Sequence, residues 1–576
     1  MKRFTALILS IILVLLQAFT TAVSAHAEGE GIERLTEGSY EFTVRGDGTA
    51  EITDYTGRAV YLKVPDTLQG HEVTAIGRGA FSDVSNLMTV VLPDTLLEIH
   101  DNPFMGCLSL RDIRVSEKNS SFSVTDGILY SKKDKQLICC PAALPKTEVE
   151  VEKKTKAIGA YAFYGCGNVE SVVLPDSVKN IGVSAFKQCE ALSGVSFGDG
   201  LTEISDKAFE GCISLEFAEF PEGLESIGKD AFRDCVSLVR ISLPGSLRTL
   251  TENPFANCAG LAEITVAEEN PVYASVDQVL FDKTEQMLVC YPGGSERQEY
   301  IIPEGTESIG AYAFFRCGGL VAVGFPEGLK RIGTAAFSGC GALNVLDFAW
   351  SLEEISEYAF EFCSGLTEAH FNEGLKKIGN DAFSMCGSLR SAKLPEGLSS
   401  LGEDAFSFCS HLKSVSIPKS LTRVTGNPFM YCSRLREIHV TPGNTVFREK
   451  NGALVNTRDK ILVTYPAGLG RVFYQVPEGV KIIGEYAFYN CSTVQTVYLP
   501  DSVTEIRNGA FSFCSGLRDF VLPGELTEFG SGAFVNCGNC EFIVPAGSPA
   551  AEHLKEQGFR IRYEKKTVPE GIRIIA

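Results

Sequence analysis

The chain has 576 residues and a formal net charge of −20 at pH 7. This length exceeds what one ordinary hydrophobic core can serve, so several domains or one extended repeat array are expected. The acidic balance argues against nucleic acid as a partner, because phosphates require neutralisation by Lys and Arg. After residue 30 no apolar run reaches the roughly 18 residues of a membrane span, so we expect none in the mature chain.

The N-terminus has the three-part pattern of a secretory signal peptide. Lys2 and Arg3 precede the apolar run FTALILSIILVLLQAFTTAV, and the small residues of SAHAEG follow it. We expect a signal peptide over residues 1–27 with cleavage after Ala27; cleavage after Ala25 and an uncleaved anchor are the alternatives. The mature chain is therefore expected to be secreted or at the cell surface.

Residues 28–61 are interpreted as an N-terminal β cap. The segment from Tyr40 to Gly57, YEFTVRGDGTAEITDYTG, predicts a hairpin that turns at Asp47 and Gly48. Arg45, Gly46 and Asp47 also form the tripeptide that some integrins bind, but the hairpin turn already accounts for them.

A repeat unit occupies residues 62–545. Sixteen copies align on a Phe, and twelve of the fifteen intervals between them are 23 residues, at Phe 81, 104, 163, 186, 209, 232, 255, 314, 337, 360, 383, 406, 429, 488, 511 and 534. In VESVVLPDSVKNIGVSAFKQC, Val172 and Leu174 alternate as in a half-buried strand, and Pro175 ends it. Ile181 returns to the core, and Phe186 lies in a short helical or 3₁₀ turn. Stacked copies would build continuous interior ladders, which predicts a single continuous solenoid.

Copies such as LPDSVKNIGVSAFKQC and FPEGLKRIGTAAFSGC resemble the BspA-type class of bacterial leucine-rich repeats. The resemblance implies a leucine-rich-repeat superhelix of short parallel strands and short helical or 3₁₀ turns. Repeats of this class occur mostly in exported and surface proteins. Proteins that carry them are associated with adhesion and host-protein binding.

Three insertions of 36 residues precede Phe163, Phe314 and Phe488, and each follows an NPF copy. Each insertion contains two short apolar strands around a polar turn, as in DQVLFDKTEQMLVCYP, which predicts a β-hairpin. A strand at the usual place in the repeat follows each hairpin, so each insertion adds one turn to the solenoid. Residues 546–576 are interpreted as a C-terminal cap and tail with a short helix and a closing strand.

Fifteen of the nineteen cysteines lie three residues after a repeat Phe. This periodic placement predicts a column of buried thiols that pack as small hydrophobic side chains, although a disulfide network is the alternative in an exported chain. Cys537 and Cys540 match the C-x-x-C pattern, but Cys537 is the ordinary repeat cysteine and Cys540 replaces the repeat Leu.

No catalytic motif, cofactor site or metal site is apparent, so we expect a protein that is not an enzyme. The surface must then carry function, and outward strand positions lie eight and ten residues after each Phe. The richest neighbourhood there combines Asp347, Glu368, His370 and Lys393 on three adjacent repeats, with Trp350 one corner away as an apolar anchor. An ordinary solvated strand surface is the alternative interpretation.

The main hypothesis is an exported, non-catalytic interaction protein, adhesin-like, whose repeat surface binds a host or cell-surface protein. The alternative is a cell-envelope scaffold or glycan-binding accessory module. Few aromatic residues occupy the outward strand positions, which disfavours glycan binding there.

Overall fold

A computed structural model of the protein describes residues 34–537 and 540–564. The signal peptide predicted over residues 1–27 lies outside the described residues. The chain groups into two compact units, one that ends at Lys133 and one that begins at Asp134. Both units are built from parallel strands with the 23-residue spacing, so the predicted leucine-rich-repeat solenoid fold is confirmed.

The first kind of strand, here called a face strand, forms from the alternating apolar segment of each repeat. Neighbouring face strands pair in parallel in runs of two to six strands, so that Val172, for example, lies opposite Val195, 23 residues on. Face strands in the first unit are Tyr61–Lys63, Thr89–Leu92 and Asp112–Val115. Face strands in the second unit are Glu148–Glu150, Ser171–Val173, Gly194–Ser196, Phe217–Glu219, Arg240–Leu243, Glu263–Val266, Glu299–Ile301, Ala322–Gly324, Val345–Asp347, Glu368–His370, Ser391–Lys393, Ser414–Ile417, Glu437–Val440, Phe473–Gln475, Thr496–Tyr498, Asp519–Val521, Glu541–Val544 and Arg560–Tyr563.

The second kind, here called a corner strand, forms where an apolar residue, most often an Ile followed by Gly, returns to the core in each repeat. The sequence predicts the buried Ile but not the strand, because two residues are too few to show alternation. In the first unit Glu98–Ile99 has this role. Corner strands in the second unit are Ala157–Ile158, Asn180–Ile181, Glu203–Ile204, Ser226–Ile227, Thr249–Leu250, Ser308–Ile309, Arg331–Ile332, Glu354–Ile355, Lys377–Ile378, Ser400–Leu401, Arg423–Val424, Ile482–Ile483, Glu505–Ile506 and Glu528–Phe529.

Where a glycine follows the corner Ile, it lies close to the backbone of the preceding repeat. A Cβ built on Gly182 would lie 2.7 Å from the backbone nitrogen of Ala160, closer than real Cβ atoms come. Gly182 therefore allows a close approach that a residue with a Cβ would disturb.

The repeat Phe lies in a turn on the remaining side. The amide of Cys189 donates to the carbonyl of Phe186 at 3.1 Å, which is the i→i+3 bond expected of a 3₁₀ turn. The amide of Phe186 instead donates to Ala208 of the next repeat at 2.7 Å, so the turn does not continue into a helix. Phe186, Phe209 and Phe232 are fully buried and stack with ring centroids 4.9 and 5.0 Å apart, which confirms the predicted column.

Each insertion brings a residue of its own into the position of the repeat Phe. Tyr291 stands 23 residues before Phe314, and the two rings stack at 4.9 Å. In the third insertion Tyr465 stacks in the same way on Phe488 at 4.8 Å. In the first insertion Cys140 takes this position, and its amide donates to the carbonyl of Ala162 in the next repeat, as the amide of a repeat Phe does. Cys139 and Cys290 therefore fill the position of the repeat Ala, which explains cysteines outside the 23-residue spacing.

The predicted hairpins are present, with one more strand than expected. In the second insertion Val279–Asp282 pairs antiparallel with Met287–Cys290, and Tyr273–Val276 adds a third strand on the other edge. The third insertion repeats this with Phe447–Lys450, Ala453–Asn456 and Ile461–Thr464, followed by a 3₁₀ turn at Ala467–Leu469. In the first unit Phe122–Thr125 pairs with Ile128–Ser131, and in the second unit Gln136–Cys139 joins the corner strand Ala157–Ile158.

A buried asparagine holds the entry of each insertion. Asn270 donates to the carbonyls of Pro244 and Leu247 at 2.8 and 3.1 Å, and its oxygen accepts the amides of Val272 and Tyr273. Asn119 and Asn444 make the corresponding bonds in the other two insertions. All four hydrogen-bonding positions of the amide are used, so the chain direction at this point is tightly specified.

The described ends differ from the repeats. At one end Arg34–Glu37, Tyr40–Val44 and Ala50–Tyr55 form an antiparallel sheet, and the hairpin predicted at Asp47 and Gly48 is confirmed. Two more strands, Thr67–Leu68 and His71–Ile76, follow. At the other end the helix Pro549–Glu556 begins at Ser548, whose side chain accepts the amide of Ala551.

Candidate functional site

The outward positions of the face strands are where the sequence predicts a binding surface. In Val345–Asp347 the central Leu346 is fully buried, whereas Asp347 is exposed. The following strand, Glu368–His370, pairs with it in parallel so that Asp347 lies opposite His370. The register therefore brings together side chains that are 23 residues apart in sequence.

Hydrogen bonds join three of the five predicted residues. His370 Nδ1 lies 2.6 Å from Asp347 Oδ1, and His370 Nε2 lies 3.2 Å from Glu368 Oε2. Both ring nitrogens lie beside carboxylate oxygens, which accept hydrogen bonds, so this arrangement favours the imidazolium form of His370. The hydrogen bond to Asp347 is the main reason that the pKa of His370 is raised above its ordinary value.

All three side chains are open to solvent, with between half and four-fifths of each exposed. When His370 is protonated, the cluster presents one cation between two carboxylates on a strand face. Over residues 34–537 and 540–564, no group of three or more His, Cys, Asp or Glu side chains could hold a metal ion. The cluster offers charges and hydrogen-bonding groups to a partner.

Trp350 lies in the turn that follows the Asp347 strand and is 72% exposed. The turn beneath it is fixed by two hydrogen bonds: Ser351 donates to Leu329 at 2.8 Å, and Asn372 donates to Ala349 at 2.6 Å. The indole is therefore a solvent-exposed apolar group on a turn whose backbone is fixed by hydrogen bonds. Such a side chain is typical of binding anchors.

Lys393 occupies the same outward position as His370, one repeat further along the chain. It is exposed, as predicted. The strands of His370 and Lys393 lie in different sheets. Glu368–His370 pairs with Val345–Asp347, whereas Ser391–Lys393 pairs with Ser414–Ile417.

Ile301 is a further outward residue, and the sequence reasoning missed it. It is 80% exposed, and a Cβ built on the next outward residue, Gly324, would lie 3.4 Å from its side chain. The outward positions were counted from the repeat Phe, and this repeat carries Tyr291 instead. Counting ten residues from Tyr291 finds Ile301, so the signal was present in the sequence.

The repeats also match a known family over most of the chain. The family described as BspA type leucine rich repeat region (6 copies) matches residues 63–141, 156–285, 290–379, 346–452 and 473–556. This chain is a BspA-type leucine-rich-repeat protein. No helix in the described part of this BspA-type chain has the length and apolar character needed to cross a membrane.

Several solved structures resemble this BspA-type chain. A leucine rich cell surface protein from Faecalibacterium prausnitzii is 26% identical, with 72% of this chain and 96% of that chain covered and a TM-score of 0.39. A leucine-rich repeat protein from Bacteroides ovatus is 20% identical over 92% and 100% of the two chains, with a TM-score of 0.36. The pneumococcal vaccine antigen PcpA is 18% identical over 93% and 100%, with a TM-score of 0.34. No curated protein matches the chain.

Proposed function

We propose that this protein is an exported, non-catalytic interaction protein that binds a host or cell-surface protein through its face strands. The binding site comprises Asp347, Trp350, Glu368, His370 and Lys393. The observation that carries the proposal is the pairing of His370 with Asp347 at 2.6 Å beside a Trp that is 72% exposed.

The physical argument is that such a surface suits protein recognition. An exposed indole supplies a large apolar area with a hydrogen-bond donor, and surrounding charged groups supply a polar rim. Exposed face-strand side chains make no contact with the ladder core, so a solenoid can vary them without loss of fold. Ile301 extends the same outward column with a second apolar side chain.

The proposed organisation follows the sequence. Residues 1–27 are a signal peptide, residues 28–61 an N-terminal β cap, residues 62–545 the repeat array, and residues 546–576 a C-terminal cap and tail. The family, with its repeated packing units, supports a scaffold for binding rather than catalysis.

The proposal is tested by the affinity of the mature chain for purified candidate partners, compared with Trp350→Ala combined with His370→Ala. Loss of binding without loss of stability would support the site. Unchanged affinity in this double variant would rule out the proposed binding site.

A further inference from the structure

A second exposed surface lies on the Phe-turn side of the repeats, two residues after each repeat Phe. Large apolar side chains occupy this position in four consecutive repeats, at Phe362, Met385, Phe408 and Tyr431. The amide of Phe362 donates to the next repeat at Ser384, and the amides of Met385 and Phe408 bond to the following repeats in the same way, at 2.9 Å in each case. These side chains therefore form one row along successive repeats.

Beyond the third insertion, two more aromatic residues extend this row: Tyr489, one residue after its repeat Phe, and Phe513, two residues after its repeat Phe. The rings of Phe408 and Tyr431 lie 4.7 Å apart, Tyr431 lies 5.8 Å from Tyr489, and Tyr489 lies 5.3 Å from Phe513. The aromatic row is defined here as Phe362, Met385, Phe408, Tyr431, Tyr489 and Phe513.

The backbone beneath the aromatic row is strained. Phe362, Met385, Phe408, Tyr431 and Phe513 have φ between 57° and 61°, a left-handed conformation that costs a residue with a Cβ about 1 kcal/mol. The same position is left-handed in other repeats, where it carries Gly165, Gly211, Gly339 and Asn257 but also Gln188, Asp234 and Arg316, so this conformation belongs to the repeat fold. The sequence thus places bulky apolar side chains where the backbone disfavours them.

Burial does not offset this strain at the ends of the row. Phe362 is 51% exposed and Phe513 is 42% exposed. A side chain that stays half in water gains only part of its transfer free energy on folding. The half-exposed rings of Phe362 and Phe513 are therefore open to a contact outside the fold.

The charges that border the row have one sign. Four positions flank the repeat Phe on this surface: three and two residues before it, and one and two after it. From Glu357 to Asn490 these positions hold no Lys, Arg or His and six carboxyl side chains, at Glu357, Glu361, Asp381, Glu403, Asp404 and Glu485.

The carboxyls are close enough to oppose one another's ionisation. Burial raises the pKa of Glu361 to about 7, with Asp381 adding to the shift. Burial also raises the pKa of Asp404 to about 7, with Asp381 and Glu403 adding to it. The four flanking positions of these described repeats supply no cation to balance the negative charge.

We propose that the aromatic row and its six carboxylates bind a cationic polypeptide segment in which Lys or Arg alternates with apolar residues. The apolar residues cover the half-exposed rings, and the cations relieve carboxylate repulsion and contact the ring faces. An acidic ligand would add to the repulsion, and a neutral glycan would leave it in place. This surface is separate from the face strands, so the inference stands apart from the proposed function.

The test uses fluorescence anisotropy of two labelled peptides, (Lys-Leu)4 and the charge-reversed (Glu-Leu)4, with the full mature chain. The Lys peptide is expected to bind and the Glu peptide is not. Asp381→Asn with Asp404→Asn should weaken binding of the Lys peptide by at least about tenfold, and so should Phe362→Ser with Phe513→Ser. Melting temperatures check that both variants fold.

The matched control removes two exposed carboxyls from the face strands, as Glu219→Gln with Glu263→Gln. This control and Trp350→Ala with His370→Ala should bind the Lys peptide as the unmodified protein does. Equal binding of the two peptides, binding of neither, or full affinity in both sets of row variants would overturn the inference.

Discussion

The thiol of Cys212 donates to the carbonyl oxygen of Phe186, 26 residues earlier, at 3.1 Å. That oxygen also accepts the amide of Cys189 at 3.1 Å. The same thiol bond recurs along the column, for example from Cys235 to Phe209 and from Cys340 to Phe314. Cysteine is therefore small enough for the interior and still able to satisfy a buried carbonyl, as the packing interpretation of the column requires.

These contacts predict the reactivity of the thiols. Burial raises the pKa of Cys235 and Cys340, so little reactive thiolate is present near neutral pH. In denaturant without reductant, a DTNB titration should find most of the nineteen sulfurs free, whereas the native protein should react slowly. Finding most of them paired would show that the column forms disulfides instead.

The Phe column predicts a large loss of stability on truncation. Phe209 is fully buried between Phe186 and Phe232, so Phe209→Ala should lower the free energy of unfolding by roughly 3–5 kcal/mol. Phe217→Ala is the matched control because Phe217 is 48% exposed on a face strand, and it should change stability by about 0.5 kcal/mol or less. Urea titration of both variants measures the difference, and equal losses would contradict the column.

The buried Asn of the second insertion provides a separate test. Asn270→Ala removes four hydrogen bonds and leaves two carbonyls and two amides without that partner. Unsatisfied buried groups of this kind predict a loss of about 2–4 kcal/mol. Asn168 is exposed, and Asn168→Ala should stay within about 0.5 kcal/mol of the unmodified protein. A similar small effect at Asn270 would mean that the insertion is not held by this side chain.

The carboxyls beside the aromatic row predict a pH dependence of stability. The pKa values of Glu361, Asp381 and Asp404 rise to about 7, 6 and 7 on folding, mainly through burial. The folded state then binds more protons than the unfolded state between about pH 4 and pH 7, so these groups favour folding less as pH rises through that window.

Thermal melts of Asp381→Asn with Asp404→Asn should therefore show a gain in melting temperature over the unmodified protein that is larger at pH 8 than at pH 5. Glu219→Gln with Glu263→Gln serves as the charge-matched control and should show no such difference. A gain that is independent of pH would mean that the two carboxyls ionise normally in the folded protein.

Much of the fold could be predicted from the sequence because every ladder repeats the same residue every 23 positions. The Phe column and the face strands follow from that count. The corner strands do not follow from it, because two residues are too few to show alternation. The first strand of each insertion does not follow either, because a segment such as the one around Tyr273 has no counterpart in the regular repeats. Tyr291 and Tyr465 were missed as column residues because they replace Phe with a different residue type.

The candidate site was partly predictable for the same reason. Asp347 and His370 hold equal positions in adjacent repeats, so a parallel register places them side by side. Trp350 lies in a turn rather than on a ladder, and its exposure depends on local bonds from Ser351 and Asn372. The aromatic row was missed because its position was considered only as part of the Phe turn.

The most direct test of the central claim is the affinity of the mature chain for a panel of purified host-matrix proteins and purified cell wall. We expect a protein ligand to bind, and Trp350→Ala with His370→Ala to weaken that binding by at least about tenfold, roughly 1.4 kcal/mol, with the melting temperature nearly unchanged. Ser414→Ala with Ser416→Ala, further along the same face, is the control and should bind normally. Binding to cell wall alone, or unchanged affinity for a protein ligand in the Trp350 and His370 variant, would contradict the account.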